Sequence, residues 1–371
     1  MRHTYLFLLL FCCITVRLHA QDETPITLHI GDQPPPLRMR TWLKGEPVQQ
    51  FEKGRVYVLE FWATWCMPCK AAMPHLSVVA EKYRDKVTII GVDIYEQKTT
   101  PFEKIKRFVD SMGKRMDYLV AAEDSNLMAT TWLRAAGEQA IPHTLVINQE
   151  GKLAWIGHPH KLEPVLAQIV DNNWDVAKAL AQRNTERYLD SLDVDASYEL
   201  LRFKHDMTKP DAPEKTDSLL WAIDEIVKKE PRLKYALHIG YNTFDALLKT
   251  DQQKAYAYGK EVMETPASNG PFYEVIVEGI RDFSNTLNLS PEIYRLGAEA
   301  REAQIASYFY PENLDLYKEY SSMAEWYSCA NNKPKAIAAM QKAIEVLKSK
   351  KGFSVSYLTA YETRLQQYKN M

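Results

Sequence analysis

This chain lacks several things, and each absence removes a class of protein. It lacks a charge excess: 46 basic residues stand against 48 acidic ones with both signs dispersed, so no basic surface is offered to a polyanion and no nucleic-acid partner is expected. It lacks a membrane-length apolar run, because the opening run Tyr5 to Val16 covers twelve residues where an ordinary span needs ~20. It lacks a cysteine framework, having five cysteines and no second CxxC. A structural zinc site, which wants four Cys or His ligands at suitable spacing, is therefore not expected, and no metal or cofactor is assigned.

The first twenty residues read as a cleaved secretory signal: Arg2 and His3, the apolar run, then Ala20 before Gln21-Asp22-Glu23. Leu18 is large for its place three residues before the cut. A retained membrane anchor is the competing reading. A lipid-attached Cys12 would need a small residue where Phe11 stands. Removal of the leader leaves 44 basic against 48 acidic side chains and three cysteines, Cys66, Cys69 and Cys329. Export to the periplasm or cell envelope would place them in an oxidising compartment. Cys329, at helical spacing with Trp326 and Tyr327, is expected to be a buried core cysteine.

Residues 21–55 read as a polar lead-in held extended by Pro34-Pro35-Pro36. Strands and helices then alternate. Strands are expected at Val56–Phe61, Val87–Val92, Tyr118–Val120, Thr144–Ile147 and Leu153–Ile156, and helices at Ala71–Tyr83, Pro101–Met112, Asn126–Ala135 and Leu162–Val170. This order predicts one mixed sheet covered by helices. After about residue 172 helical spacing dominates, broken by prolines, with Phe272–Ile280 open to either strand or helix. Ala324, Tyr327, Ala336, Met340 and Ala343 loosely match the small-residue spacing of a tetratricopeptide repeat. An irregular bundle is the competing arrangement.

The chemistry centres on Trp65-Cys66-Met67-Pro68-Cys69-Lys70 at a strand-to-helix junction. A helix N-terminus carries free N–H groups and partial positive charge, which favour a thiolate. The first cysteine is thus the expected attacker and the second the resolver. Pro68 suits an early helical position, where a missing N–H costs nothing. A copper site drawing on Met67 and His143 is an alternative. So is a peroxidatic cysteine, although that wants a Thr three residues earlier, where Ala63 stands. Glu60 lies in an apolar strand, on the face of Val58 and Trp62. Burial there would raise its pKa toward the range of a proton acceptor for Cys69, the alternative being a solvated strand end. Ile141-Pro142 precedes a strand, and a cis bond there would present the Ile141 backbone to an extended substrate. Trp62 and Trp65 bracket the thiols as apolar surfaces. His158-Pro159-His160 reads as a turn.

These residues resemble the thioredoxin superfamily, and within it the TlpA/ResA-like exported thiol-disulfide oxidoreductases. The resemblance rests on Leu59–Lys70, Met73-Pro74, Ile141–Ile147 and Gly151-Lys152, with Ile30–Pro35 as an N-terminal extension. It implies a thioredoxin-like α/β fold over 21–172 and leaves 173–371 as an all-helical domain. It also implies Cys66 as nucleophile, Cys69 as resolving thiol, Pro142 as cis proline, Glu60 as the buried acid and Pro74 as a helix-kinking proline. Trp65, Met67, Pro68 and Ile141 become the expected substrate contacts. ResA-like members carry a Glu three residues after the second cysteine, where this chain has Ala72, a departure from a specialised apocytochrome-reducing role. The expected activity is reduction of a protein or peptide disulfide, with reducing power from a membrane or periplasmic donor. Two alternatives are a partner-binding helical scaffold with a thioredoxin-like docking module, and a thiol peroxide reductase.

Overall fold

The structure is a computed structural model that describes residues 25–97, 99–123, 125–204, 215–265, 272–307, 315–350 and 355–371. The expected signal segment lies outside these residues. The chain divides into two compact units, Met1–Leu180 and Ala181–Met371.

In the first unit, β-branched and aromatic runs make six strands: β1 (Met39–Lys44), β2 (Val56–Trp62), β3 (Val87–Asp93), β4 (Leu119–Glu123), β5 (His143–Ile147) and β6 (Leu153–Gly157). They form one sheet in the order β1-β4-β3-β2-β5-β6. The β2–β3 and β3–β4 pairs are parallel, and the other three are antiparallel. A parallel pair needs a crossover, supplied here by α1 (Met67–Lys82) and α2 (Phe102–Met112), while α3 (Leu162–Val170) closes the unit.

Strand β2 is buried along its whole length. Tyr57, Leu59 and Phe61 join one core with Ile90, Leu145 and Trp132. By alternation Val58, Glu60 and Trp62 take the opposite face. Gly91 stands opposite Glu60 on β3. A Cβ there would lie 3.0 Å from the Tyr118 ring and 3.2 Å from Trp62 Nε1, so close packing explains the glycine.

Three expectations for this unit need correction. The polar lead-in contains β1, whose side chains are mostly half-buried beside β4, so its periodicity is faint in sequence. It is also tied down at Gly31 and Asp32, which exchange backbone hydrogen bonds with Leu153 at 2.7 and 2.9 Å. The strand expected at Tyr118–Val120 is β4, which begins at Leu119 and runs on to Glu123. The helix expected at Asn126–Ala135 is a π-helix over Ala129–Arg134, with Ala129, Trp132 and Leu133 in the core.

The remaining helices are α4 (Val176–Lys204), α5 (Thr216–Lys229), α6 (Leu237–Thr250), α7 (Gln252–Glu264), α8 (Tyr273–Phe283), α9 (Pro291–Ser307), α10 (Leu316–Cys329), α11 (Lys333–Ser349) and α12 (Val355–Asn370). The ambiguous run at 272–280 is helical, and Val275, Ile276, Val277 and Ile280 enter a core with Phe244, Leu296, Tyr327 and Met340. Helix α12 carries one fully buried residue, Tyr368, which is why no stripe announced it. Cys329 is exposed and unpaired in a disulfide, contrary to the expected core position. Met323, Ala324 and Tyr327 hold the buried stripe of α10, and two residues past Tyr327 a side chain has turned to the other side.

Trp132→Ala empties a fully buried site under the sheet. The expected cost is about 3–5 kcal/mol, read as a lower denaturant midpoint for the first unit.

Candidate active site

The site is assembled where β2 ends. Beyond Trp62 the chain turns through Ala63-Thr64-Trp65, and Cys66 becomes the N-cap of α1. Cys66 Sγ accepts the Cys69 backbone N–H at 3.2 Å, so the sulfur receives one of the N–H groups that a helix start leaves unpaired. Cys66 and Cys69 are joined in a disulfide with Cα atoms 5.3 Å apart. Both are buried, whereas Trp65 is 52% and Met67 58% exposed. Pro68 lies between them in the first turn, exposed beside Met67. The dithiol is therefore recessed within an apolar collar.

The second component comes from about seventy residues further along the chain. The Ile141–Pro142 peptide is cis, and β5 begins at His143, which pairs with Phe61 on β2. This register places the Ile141 carbonyl oxygen 3.8 Å from Cys66 Sγ. Pro142 is buried and Ile141 half-buried.

Glu60 pairs with Thr144 across the same two strands. It is 2% exposed, far from a solvated strand end. Its Oε2 accepts a short hydrogen bond from the Thr144 hydroxyl, and its Oε1 has no hydrogen-bond partner. Burial pushes its carboxyl well above the usual carboxylate range, with the Thr144 hydroxyl opposing weakly. Trp62 is core, 1% exposed. His143 Nε2 lies 3.4 Å from Glu138, and burial lowers the His143 imidazole to about 4. A short 3-10 turn spans Pro159–Lys161, with His158 as its N-cap. Among the described residues no group of three His, Cys, Asp or Glu is placed to hold a metal ion.

The AhpC/TSA family model matches residues 30–156. The thiol-disulfide oxidoreductase ResA of Bacillus thuringiensis is 30% identical over 128 residues, covering 34% of this chain and 68% of ResA. Protein FixW of Rhizobium leguminosarum is 29% identical over 152 residues, covering 40% of this chain and 69% of FixW. ResA of Halalkalibacterium halodurans is 32% identical over 113 residues, covering 30% of this chain and 58% of that protein. The chain belongs to the thioredoxin-like thiol-disulfide oxidoreductases.

The oxidoreductase carries further polar residues by the dithiol that motif reading passed over. Thr64 donates its backbone N–H to Glu96 Oε1 at 2.5 Å, and Trp65 donates its indole N–H to the Tyr95 carbonyl at 2.9 Å. The loop after β3 thus holds the loop before Cys66. Asp93, the last residue of β3, is 3% exposed. Burial, with Glu96 and Glu123 nearby, raises its carboxyl to about 9. The available signal was an acid ending a uniformly apolar strand.

The sign of the resulting pH effect is fixed. The unfolded chain releases this proton near 3.8 and the folded oxidoreductase near 9, so the folded state binds more protons between those values. The contribution is fully present below the lower value and is lost as pH rises through the upper one. In oxidised protein, Asp93→Asn should flatten the fall in Tm between the unfolded value of 3.8 and the folded value of about 9, measured by thermal unfolding at a series of pH values.

Proposed function

We propose that this chain is an exported protein-disulfide reductase working through Cys66 and Cys69. One observation carries the reading: Cys66 Sγ receives a helix N-terminal N–H while facing the Ile141 carbonyl. The first contact favours a thiolate in the reduced protein. The second sets the backbone of an extended partner beside the sulfur.

In the reduced protein the Cys66 thiolate attacks one sulfur of a substrate disulfide. The Cys66–substrate bond forms as the substrate S–S bond breaks, and the departing thiolate takes a proton. Glu60 then accepts the Cys69 proton, directly or through water. The Cys69 thiolate attacks Cys66 Sγ, the Cys66–Cys69 bond forms and the second substrate thiol leaves. Two electrons pass from the protein dithiol to the substrate, and an envelope dithiol donor restores the starting state. Trp65, Met67 and Pro68 give the substrate an apolar contact, and Pro142 orients Ile141. Glu60 suits its role because its free Oε1 and raised proton affinity come from the same burial. Ala72 is buried within α1, so no acid stands at that position, and a substrate of the apocytochrome kind is not part of the proposal. The relatives named thiol-disulfide oxidoreductases support exchange between thiols and disulfides.

A Cys69→Ala variant should accumulate mixed disulfides through Cys66 in its native compartment, identified by non-reducing electrophoresis and mass spectrometry. Absence of trapped partners would overturn the reading. Glu60→Gln should slow resolution of a preformed mixed disulfide by roughly 10²-fold and leave the first attack nearly unchanged. Wild-type resolution in single-turnover kinetics would exclude the role.

A further inference from the structure

Five described residues other than glycine have a positive φ: Tyr95, Ser125, Asn126, Asn172 and Asn331. Four of them are small, and asparagine tolerates the left-handed region. Tyr95 is bulky, and its φ of 57° is an outlier that neighbours must hold in place. Three contacts do so. Its N–H donates to the Glu123 carboxylate, which also accepts the Ala129 N–H at 2.9 Å. The Arg134 guanidinium lies over its ring, 5.5 Å from the centre, and donates the Nε–H to its hydroxyl at 3.3 Å. Its carbonyl accepts the Trp65 indole N–H at 2.9 Å.

The turn comes where β2 and β3 part. Ile94 still donates its N–H to the Trp62 carbonyl at 2.8 Å, and one residue later the chain goes left-handed. Extended backbone at Tyr95 would point its carbonyl elsewhere. As built, the carbonyl reaches the residue just before Cys66. Trp65 is 52% exposed, yet the indole N–H is the one hydrogen-bonding group of its side chain, and Tyr95 takes it. The exposed part of the ring is therefore carbon, held in one orientation. An apolar ring already anchored loses little freedom when a partner covers it.

We infer that Tyr95 is a positioning residue: held left-handed by Glu123 and Arg134, it fixes the Trp65 indole as an apolar platform that selects disulfides with an apolar side chain beside the reactive cysteine. The inference rests on the exchange reaction proposed above. Tyr95 acts through Trp65 and takes no part in electron transfer. The selection is made on binding, so it moves KM and leaves kcat nearly constant.

The test uses the full reduced chain and two peptide disulfides that differ only in Leu or Asn next to the reactive cysteine, each rate divided by that with dithiothreitol. The two side chains are close in size, so the ratio reads polarity. Wild-type protein should favour the Leu peptide about 10-fold in kcat/KM, with the difference in KM. Tyr95→Ala should cut that ratio to about twofold, and Tyr95→Phe, which keeps the ring under Arg134, should retain it. A second readout is independent of activity. By NMR on isotope-labelled tryptophan, the Trp65 indole N–H, assigned by its absence in Trp65→Phe, should exchange hydrogen slowly in wild type and Tyr95→Phe. It should exchange about 10-fold faster in Tyr95→Ala. Equal reduction of the Leu and Asn peptides by wild type would overturn the selection alone and needs no variant to fold. An indole N–H that exchanges at the free-indole rate in wild type, or that Tyr95→Ala leaves unchanged, would overturn the positioning role. Reduction of neither peptide would overturn the exchange reaction itself, and the NMR readout would still report on Tyr95.

Discussion

The antiparallel pairing of β2 with β5 is the contact on which the site depends. Phe61 stands opposite His143 and Glu60 opposite Thr144. The first pair brings Ile141-Pro142 to the end of β2, where the chain departs toward Cys66. The second gives a buried carboxyl the hydroxyl that lets it remain in the core. A slip of one residue would turn Glu60 to the other face and carry Ile141 away from the sulfur. Register thus sets geometry and proton affinity together.

The Cys66–Cys69 disulfide sits at the start of a helix. Its sulfur takes the place that a Ser or Asp oxygen takes at many helix starts. The helix gains a cap, and the sulfur sits in the partial positive field of the helix start. Pro68 fits because the first turn has N–H groups to spare. Around this point the chain is unevenly exposed: the cysteines are recessed and the indole of Trp65 and the thioether of Met67 are outside.

The loop after β3 adds a second layer of control. Glu96 and Tyr95 hold Thr64 and Trp65 through hydrogen bonds. Asp93 behind them is kept neutral by burial among other acids. The loop's carboxyls therefore fix the approach to Cys66 on one side and line a cavity on the other. The helical unit has its own cores, built on Phe244, Leu296 and Tyr327 and on Leu200, Leu219 and Ile239.

Local chemistry was legible in the residues themselves. Cys66 and Cys69 fall two residues apart before a helix, Glu60 interrupts an apolar strand, and the apolar runs mark β2, β3, β5 and β6, because each of these signals is carried by near neighbours in the chain. Other features depend on distant partners. β1 is half-buried only because β4 lies beside it, and Trp132 and Leu133 enter a core with strand residues distant in the chain. Cys329 shares a helix with Tyr327 yet points away, a matter of angle around the axis that composition does not reveal. Asp93 and Glu96 gained meaning only once folding buried them together next to Thr64. The sequence by itself determined where the two neighbouring cysteines lie, since a CxxC before a helix is a local pattern. Tertiary structure decided what surrounds them, because burial and register are set by contacts between residues far apart in the chain.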